Sequence, residues 1–278
     1  MYLSTNIIRF VTAFGLEKTL DLFADVGFRG IDFNTDLPEY YTDAHDKAFY
    51  QDIRKYAQDR GLAFSQSHAP FDSAYVDVER TKQRFAEIVC GMRHSSYLGV
   101  EMIVVHPCGH LNYREEGNRE IMMDYNLDFY RRLIPYAEEY NIKIAIENIN
   151  GTLTDTGDGL VELFDTLNNP VFTVCFDVGH AHIMGEDPAD MIRKLGSRIG
   201  CTHIHDNNGT GDTHTLPFYG NIDWESVTKA FADIRYDGNL SYEASGFVKD
   251  LPQVMMPEGA AYMAKVGHYL IDRIASYR

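Results

Sequence analysis

Six short β-rich runs in this sequence each end in a side chain that binds divalent cations. They are LAFSQSH ending at His68, EMIVVH at His106, IKIAIE at Glu147, VFTVCFD at Asp177, IGCTH at His203 and LSYE at Glu243. Consecutive members stand 26 to 41 residues apart, about the length of one strand plus one helix. A lone histidine or glutamate after a strand means little. Six of them imply that the run ends converge, and strand ends converge at the C-terminal rim of a parallel barrel, where such barrels carry their chemistry. Imidazole and carboxylate together suit Zn, Mn, Co, Fe or Mg, with imidazole favouring the transition metals.

Glu147, Asp177, His203 and Glu243, at the ends of the fifth to eighth strands, offer three carboxylates and one imidazole to a single ion. A second set surrounds them and could hold further metal or touch substrate. His180 follows Asp177 by three residues in FDVGHAH, a spacing that aims both groups at one pocket. Asp212 and His214 form D-x-H in NNGTGDTHTLPFYG, and His68 and His106 complete the ring. His205 shares a face with His203 and is a candidate substrate contact. Asn148 and Asn150 are candidates for orienting Glu147 or holding a substrate hydroxyl. Phe71, Phe218, Tyr219 and Trp224 are candidate pocket walls. His110 and His182 read as loop histidines, and His45, His94 and His268 as structural residues in helical patterns.

The elements that must position these groups alternate. Apolar residues at helical spacing predict helices over 16–27, 43–61, 79–99, 119–140, 158–167, 187–196, 223–234 and 258–276. Asp187 and Pro188 form a good helix start, and Pro135 predicts a bend. Strands are expected over 3–8 and 29–33, followed by the six runs above. Several runs are apolar on successive residues, which suits parallel strands covered on both faces. Eight such alternations predict an α/β fold, a (β/α)8 TIM barrel, as a single domain over residues 1–278. A doubly wound sheet would not bring six strand ends together so readily.

Composition narrows the partners. The chain has 278 residues, of which 45% are hydrophobic and 24% charged, an ordinary globular mix. No apolar stretch approaches the ~20 residues of a membrane span, so no membrane partner is expected. The start, MYLSTNIIRF, lacks the features of a secretory signal, so a cytoplasmic location is expected. Cys90, Cys108, Cys175 and Cys201 form no CxxC pair. Cys175 and Cys201 share the faces of Asp177 and His203 and read as small reduced packing groups inside the barrel. The net charge of −16 and the absence of a Lys/Arg cluster argue against a nucleic-acid partner.

Taken in order, SHAP, VVHP, AIEN, FDVGH, HIHDN, GDTH, GNIDW and YEAS resemble the xylose-isomerase-like (AP endonuclease family 2) TIM-barrel superfamily, the sugar phosphate isomerase/epimerase barrels. The likeness runs from about residue 5 to residue 275. In the epimerase and isomerase branch it implies one divalent ion (Mn, Zn, Co or Mg) on Glu147, Asp177, His203 and Glu243. It also implies that Glu147 and Glu243 move a proton between adjacent carbons through a metal-stabilised enediolate, with His180 on the substrate. The substrate would be a small sugar or sugar phosphate, and barrels of this resemblance associate as homodimers or homotetramers. The arginine that some ketose epimerases place after the metal histidine has no counterpart in IHDNNGTGD. The alternative is an endonuclease IV-like phosphodiester hydrolase, in which up to three zinc ions would take His68, His106, Glu147, Asp177, His180, His203, Asp212, His214 and Glu243. A metal-dependent lyase or hydrolase on a sugar derivative, and a non-catalytic carbohydrate-binding barrel, complete the alternatives.

Overall fold

The computed structural model describes residues 1–34, 37, 39, 44–71, 73 and 77–278. Among them eight parallel strands follow one another: β1 (Tyr2–Thr5), β2 (Gly30–Asn34), β3 (Ala63–His68), β4 (Met102–Val105), β5 (Lys143–Glu147), β6 (Phe172–Asp177), β7 (Ile199–His203) and β8 (Asn239–Tyr242). The helices are α1 (Ile8–Phe14), α2 (Leu16–Val26), α3 (Lys47–Gln58), α4 (Val78–Leu98), α5 (Asn118–Tyr140), α6 (Gly157–Leu167), α7 (Val178–Ile183), α8 (Pro188–Leu195), α9 (Trp224–Asp233), α10 (Ser245–Val248) and α11 (Met256–Ser276).

Strands β2 to β7 pair in sequence order, and β1 pairs with β8. Two joints close the ring. Arg29 N donates to Leu3 O at 3.0 Å between β1 and β2, and Ile204 N donates to Ser241 O at 2.8 Å beside β7 and β8. The result is the expected (β/α)8 barrel. Helices shield the outer faces of the strands, which explains why their sequences are apolar on successive residues. Inside the ring Val104, Ala145, Cys175 and Cys201 pack on one another, all buried. Burial holds the Cys175 thiol well above its ordinary range, so it is a packing group and no nucleophile.

The predicted helices recur with small shifts at their ends. Asp187 caps α8 by accepting from Ala189 N at 2.8 Å, with Pro188 opening the helix. The helix expected from residue 43 begins at Lys47, capped by Asp46, and its expected start at Asp43 lies outside the described residues. The first strand ends at Thr5 instead of residue 8, because Asn6 Oδ1 accepts from Ile8 N at 3.0 Å and turns the chain into α1. No helix among the described residues is long and apolar enough to cross a membrane.

Candidate active site

All six strand-end groups lie at one rim. His68, Glu147, Asp177 and His203 close β3, β5, β6 and β7, while His106 and Glu243 follow β4 and β8 by one residue. Asp177 and His203 face each other across the β6–β7 register.

Glu147 is the hub. Its Oε1 lies 2.9 Å from His203 Nδ1 and 3.4 Å from His180 Nδ1. Its Oε2 lies 3.0 Å from His106 Nε2 and 3.3 Å from His68 Nε2. Glu243 Oε2 approaches the same His203 Nδ1 at 3.3 Å, and Asp177 Oδ2 at 3.8 Å. One ligand atom from each of Glu147, Asp177, His203 and Glu243 falls within 4.8 Å of the others. The same spacing unites His68, His106 and Glu147, then His68, His203 and Glu243, and finally His180, His205, Asp212 and His214. In the last group Asp212 Oδ2 lies 2.8 Å from His214 Nε2 and 3.3 Å from His180 Nε2. All nine metal-ligand candidates therefore share one basin, and His205, expected as a substrate contact, joins them as a tenth group.

Local structure explains each placement. Asp177 caps α7, accepting from His180 N at 2.6 Å, so the D-x-x-H spacing turns both side chains into the basin. The long loop after β7 is pinned from below by the buried Asp206. Its carboxylate accepts from Asn207 N (2.8 Å), Ile222 N (3.3 Å), Phe218 N (2.9 Å) and Trp224 Nε1 (2.8 Å). The loop then doubles back, with Gly246 N donating to His214 O and His214 Nδ1 2.8 Å from Glu243 O. His214 and Phe218 are thereby held at φ 44° and 77°, in the left-handed region that side-chain-bearing residues rarely adopt.

The electrostatics are those of buried carboxylates and imidazoles packed against one another. Burial would raise the Glu147 carboxyl, but His203, His106 and His180 outweigh it and hold it well below the usual carboxylate range. Burial is likewise overcome at Asp177, lowered by His180 and His205. Glu243 and Glu147 push His203 well above its ordinary value against its burial, and Asp177 and Asp212 do the same for His180. Burial keeps His106 low.

A bound ion fits the polar atoms left over. Asp177 Oδ2 and His205 Nδ1 are buried and have no hydrogen-bond partner among the described residues, while His205 Nε2 stands 3.0 Å from Asp177 Oδ1. His68 Nε2 and His106 Nε2 stand 3.1 Å apart beside the same carboxylate oxygen. Lone pairs that converge in this way, from imidazoles and carboxylates, match the donor set of a divalent transition metal.

Four expected residues take other roles. Asn148 was a candidate substrate contact. It is buried, with Nδ2 donating to Asp177 O and Oδ1 accepting from Asp177 N, both at 2.8 Å. Its amide fixes the Asp177 main chain through one donor and one acceptor. Trp224 does not wall the basin but is buried at the start of α9. Phe218 and Tyr219 turn outward, onto Tyr269 and Phe247 respectively. Phe71 does wall the site, its ring 5.0 Å from both His68 and His106. Two further residues emerge only in the structure. They are Asp206, and Asp32 on β2, whose Oδ2 lies 3.3 Å from His203 Nε2. The visible signal for Asp32 is an acid at an inward position of an apolar strand.

Fold and site together define a TIM-barrel protein with an imidazole–carboxylate basin at its C-terminal rim. The chain belongs to the xylose isomerase-like TIM barrel family, whose model matches residues 20–266. It is 32% identical over 190 residues to the uncharacterized protein MJ1311 of Methanocaldococcus jannaschii, covering 63% of this chain and 62% of that one. It is 24% identical over 235 residues to D-psicose 3-epimerase of Enterocloster bolteae, covering 80% and 74% of the two chains. It is 21% identical over 257 residues to inosose dehydratase of Clostridium botulinum, covering 82% and 81%. The crystal structure of the IOLI protein with a bound zinc atom superposes with a TM-score of 0.82 at 22% identity, over 100% of this chain and 99% of that one.

Proposed function

We propose that this protein is a divalent-metal-dependent isomerase or epimerase of a small sugar or sugar phosphate, moving a proton on a carbon beside a carbonyl. The observation that carries the reading is the placement of two carboxylates from different strands around one imidazole nitrogen. Glu147 reaches His203 Nδ1 at 2.9 Å from β5, and Glu243 reaches it at 3.3 Å from the end of β8. Two carboxylates that flank one point can remove a proton from one face of a substrate and return one on the other face or to the next carbon. Likeness to a D-psicose 3-epimerase supports the same class.

Glu147, Asp177, His203 and Glu243 would hold the principal ion. Once bound, that ion would act as a Lewis acid on the substrate carbonyl. The protein's own groups do the rest. Asn148 fixes the main chain of Asp177, and Thr154 Oγ1 donates to Glu147 O at 2.7 Å, so both carboxylates are held in place. Phe71 limits water at the His68–His106 side. His180 and His205 are the substrate contacts of this reading. Zinc is the favoured metal, by likeness to the zinc-bearing IOLI protein and by the imidazole content, with Mn, Co and Mg the alternatives.

A second reading rests on the nine-residue basin. His68 and His106 flank one oxygen of Glu147, and His180, Asp212 and His214 form an outer cluster, so up to three ions would find ligands as in an endonuclease IV-like hydrolase. A lyase reading, favoured by likeness to inosose dehydratases, would use the same first proton removal and then expel a hydroxyl.

Metal analysis together with a proton-exchange screen in heavy water separates these readings. About one ion per chain, with deuterium entering a ketose, aldose or their phosphates, supports the isomerase. Three zinc ions with cleavage of a phosphodiester, or exchange always accompanied by loss of water, overturns it. Glu147→Gln should cut turnover by roughly 10²–10⁴-fold, the usual value of a general base. A variant within threefold of the parent removes Glu147 from the reaction.

A further inference from the structure

We propose that Asp32, inside the barrel on β2, is a positioning residue that sets the tautomer and ring orientation of His203 so that Nδ1 faces the metal. The inference rests on the metal-site reading above and extends it one layer down.

His203 presents its two nitrogens to different surroundings. Nδ1 faces Glu147 Oε1 at 2.9 Å, Glu243 Oε2 at 3.3 Å and Asp177 Oδ2 at 3.8 Å. Nε2 points into the barrel, is buried, and makes no aligned hydrogen bond. The acid in reach of it is Asp32, with Oδ2 at 3.3 Å, an ion-pair approach. A histidine that ligates metal through one nitrogen generally donates the other N–H to a carboxylate, carbonyl or water, which fixes the tautomer and makes the ring a stronger ligand. An N–H on Nε2 would face Asp32 and leave the Nδ1 lone pair toward the carboxylate cluster.

Asp32 is built to hold this place. It is fully buried, and a buried carboxylate is costly unless a positive or donating partner faces it. Its Oδ2 accepts from Gln66 Nε2 at 2.9 Å, and Gln66 Oε1 accepts from Asn239 Nδ2 at 2.9 Å. This chain fixes the Gln66 amide with its donor end toward Asp32. Oδ1 has no hydrogen-bond partner among the described residues. The strands are also bent to suit. Ile31 pairs with Phe64 but Asp32 pairs with Gln66, a register shift that leaves Ser65 as the extra residue and sets Asp32 opposite Gln66. Such irregularities beside active sites re-aim side chains. Ser65 Oγ stabilises the shift by donating to Ile31 O at 3.1 Å. Asp32 meets the basin at His203 Nε2, whereas His203 Nδ1 is the nitrogen that faces Glu147, so simple substrate contact does not explain this acid.

The test measures zinc affinity by chelator competition for the parent, Asp32→Asn, His203→Ala and the double variant. Asp32→Asn should weaken zinc binding roughly 10–100-fold, the usual effect of removing such a partner. Combined with His203→Ala it should add no further loss, because its effect passes through His203. Unchanged affinity in Asp32→Asn, alongside clear loss in His203→Ala, overturns this inference and leaves the metal-site reading standing. A parent that binds no divalent ion overturns both. If Asp32→Asn fails to fold, imidazole ¹⁵N NMR of the zinc-loaded parent decides. A proton on His203 Nε2 supports the proposal, and a proton on Nδ1 refutes it.

Discussion

Replacing Asp206 by asparagine should loosen the loop that carries Asp212 and His214 without opening a cavity. The carboxylate takes four donors, with Oδ1 serving Asn207 N and Ile222 N, and Oδ2 serving Phe218 N and Trp224 Nε1. An amide of the same shape has one acceptor oxygen. Whichever way it lies, its NH₂ faces two of those donors and strands them. A buried donor left without an acceptor costs about 1–3 kcal/mol, so the pair costs about 2–6 kcal/mol. At roughly 2–4 °C per kcal/mol, the midpoint of thermal unfolding should fall by roughly 5–20 °C. The loop should let go first, since the positive φ at His214 and Phe218 persists only while surrounding bonds enforce it. Thermal unfolding followed by circular dichroism reads the first effect, and metal content after dialysis reads the loss of the outer ligands. Adding Trp224→Phe deletes one stranded donor, so the double variant should lose less than the sum of the two single variants. A midpoint within about 2 °C of the parent would refute the claim that this carboxylate fastens the loop.

Two other outcomes follow from the same basin. A methyl group on residue 179 would lie 2.0 Å from His205 Cε1 and 2.3 Å from Nδ1. Gly179→Ala should therefore push His205 off Asp177 and His214, cost about 1–3 kcal/mol of stability, and deplete the outer cluster of metal; unchanged stability and metal content would show that the ring has room to move. In chelator, thermal stability should fall as pH rises from about 6.5 to 9. His214 is buried against its charged form, but Asp212 and Glu243 push it up to about 9 from an ordinary 6.5, so its stabilisation is full below 6.5 and is lost as pH passes through about 9. With zinc added the trend should reverse, because metal and proton compete for the same ring; a pH-independent midpoint in chelator would contradict the assignment.

Much of this site was legible in the sequence because barrel geometry repeats. A rim ligand recurs once per strand–helix unit, so His68, His106, Glu147, Asp177, His203 and Glu243 announce themselves by position. What stayed hidden has physical causes. Helices α7 and α10, of 6 and 4 residues, are too short to show a period. Which way Phe218 or Trp224 faces depends on hydrogen bonds to Asp206, a residue many positions earlier. Asp32 stands out only as an inward acid on a buried strand, and neither its approach to His203 nor its bond to Gln66 can be read from neighbouring residues, because both partners lie on other strands.

The short motifs of the chain become intelligible once their hydrogen bonds are traced, and the tracing bears on chemistry. AIEN and FDVGH are neighbours because the Asn148 amide grips the Asp177 main chain, and His180 Nδ1 lies 3.0 Å from Asn148 O. HIHDN and GNIDW are neighbours because Asp206 holds Trp224, and because a side chain at Gly220 would come within 2.2 Å of Asp206 Oδ1. These bonds are structural, so they serve an isomerase and a hydrolase equally, and the motifs they maintain cannot by themselves distinguish the two. The distinction sits in Glu147. Its Oε1 serves the His203 side and its Oε2 the His68–His106 side. An isomerase needs Oε1 toward the ion and Oε2 free to take the proton, whereas a multi-metal hydrolase needs both oxygens as ligands at once. Removing His106 should therefore spare proton exchange and abolish phosphodiester cleavage, which makes that histidine, outside the principal four-ligand set, the residue where the two chemistries part.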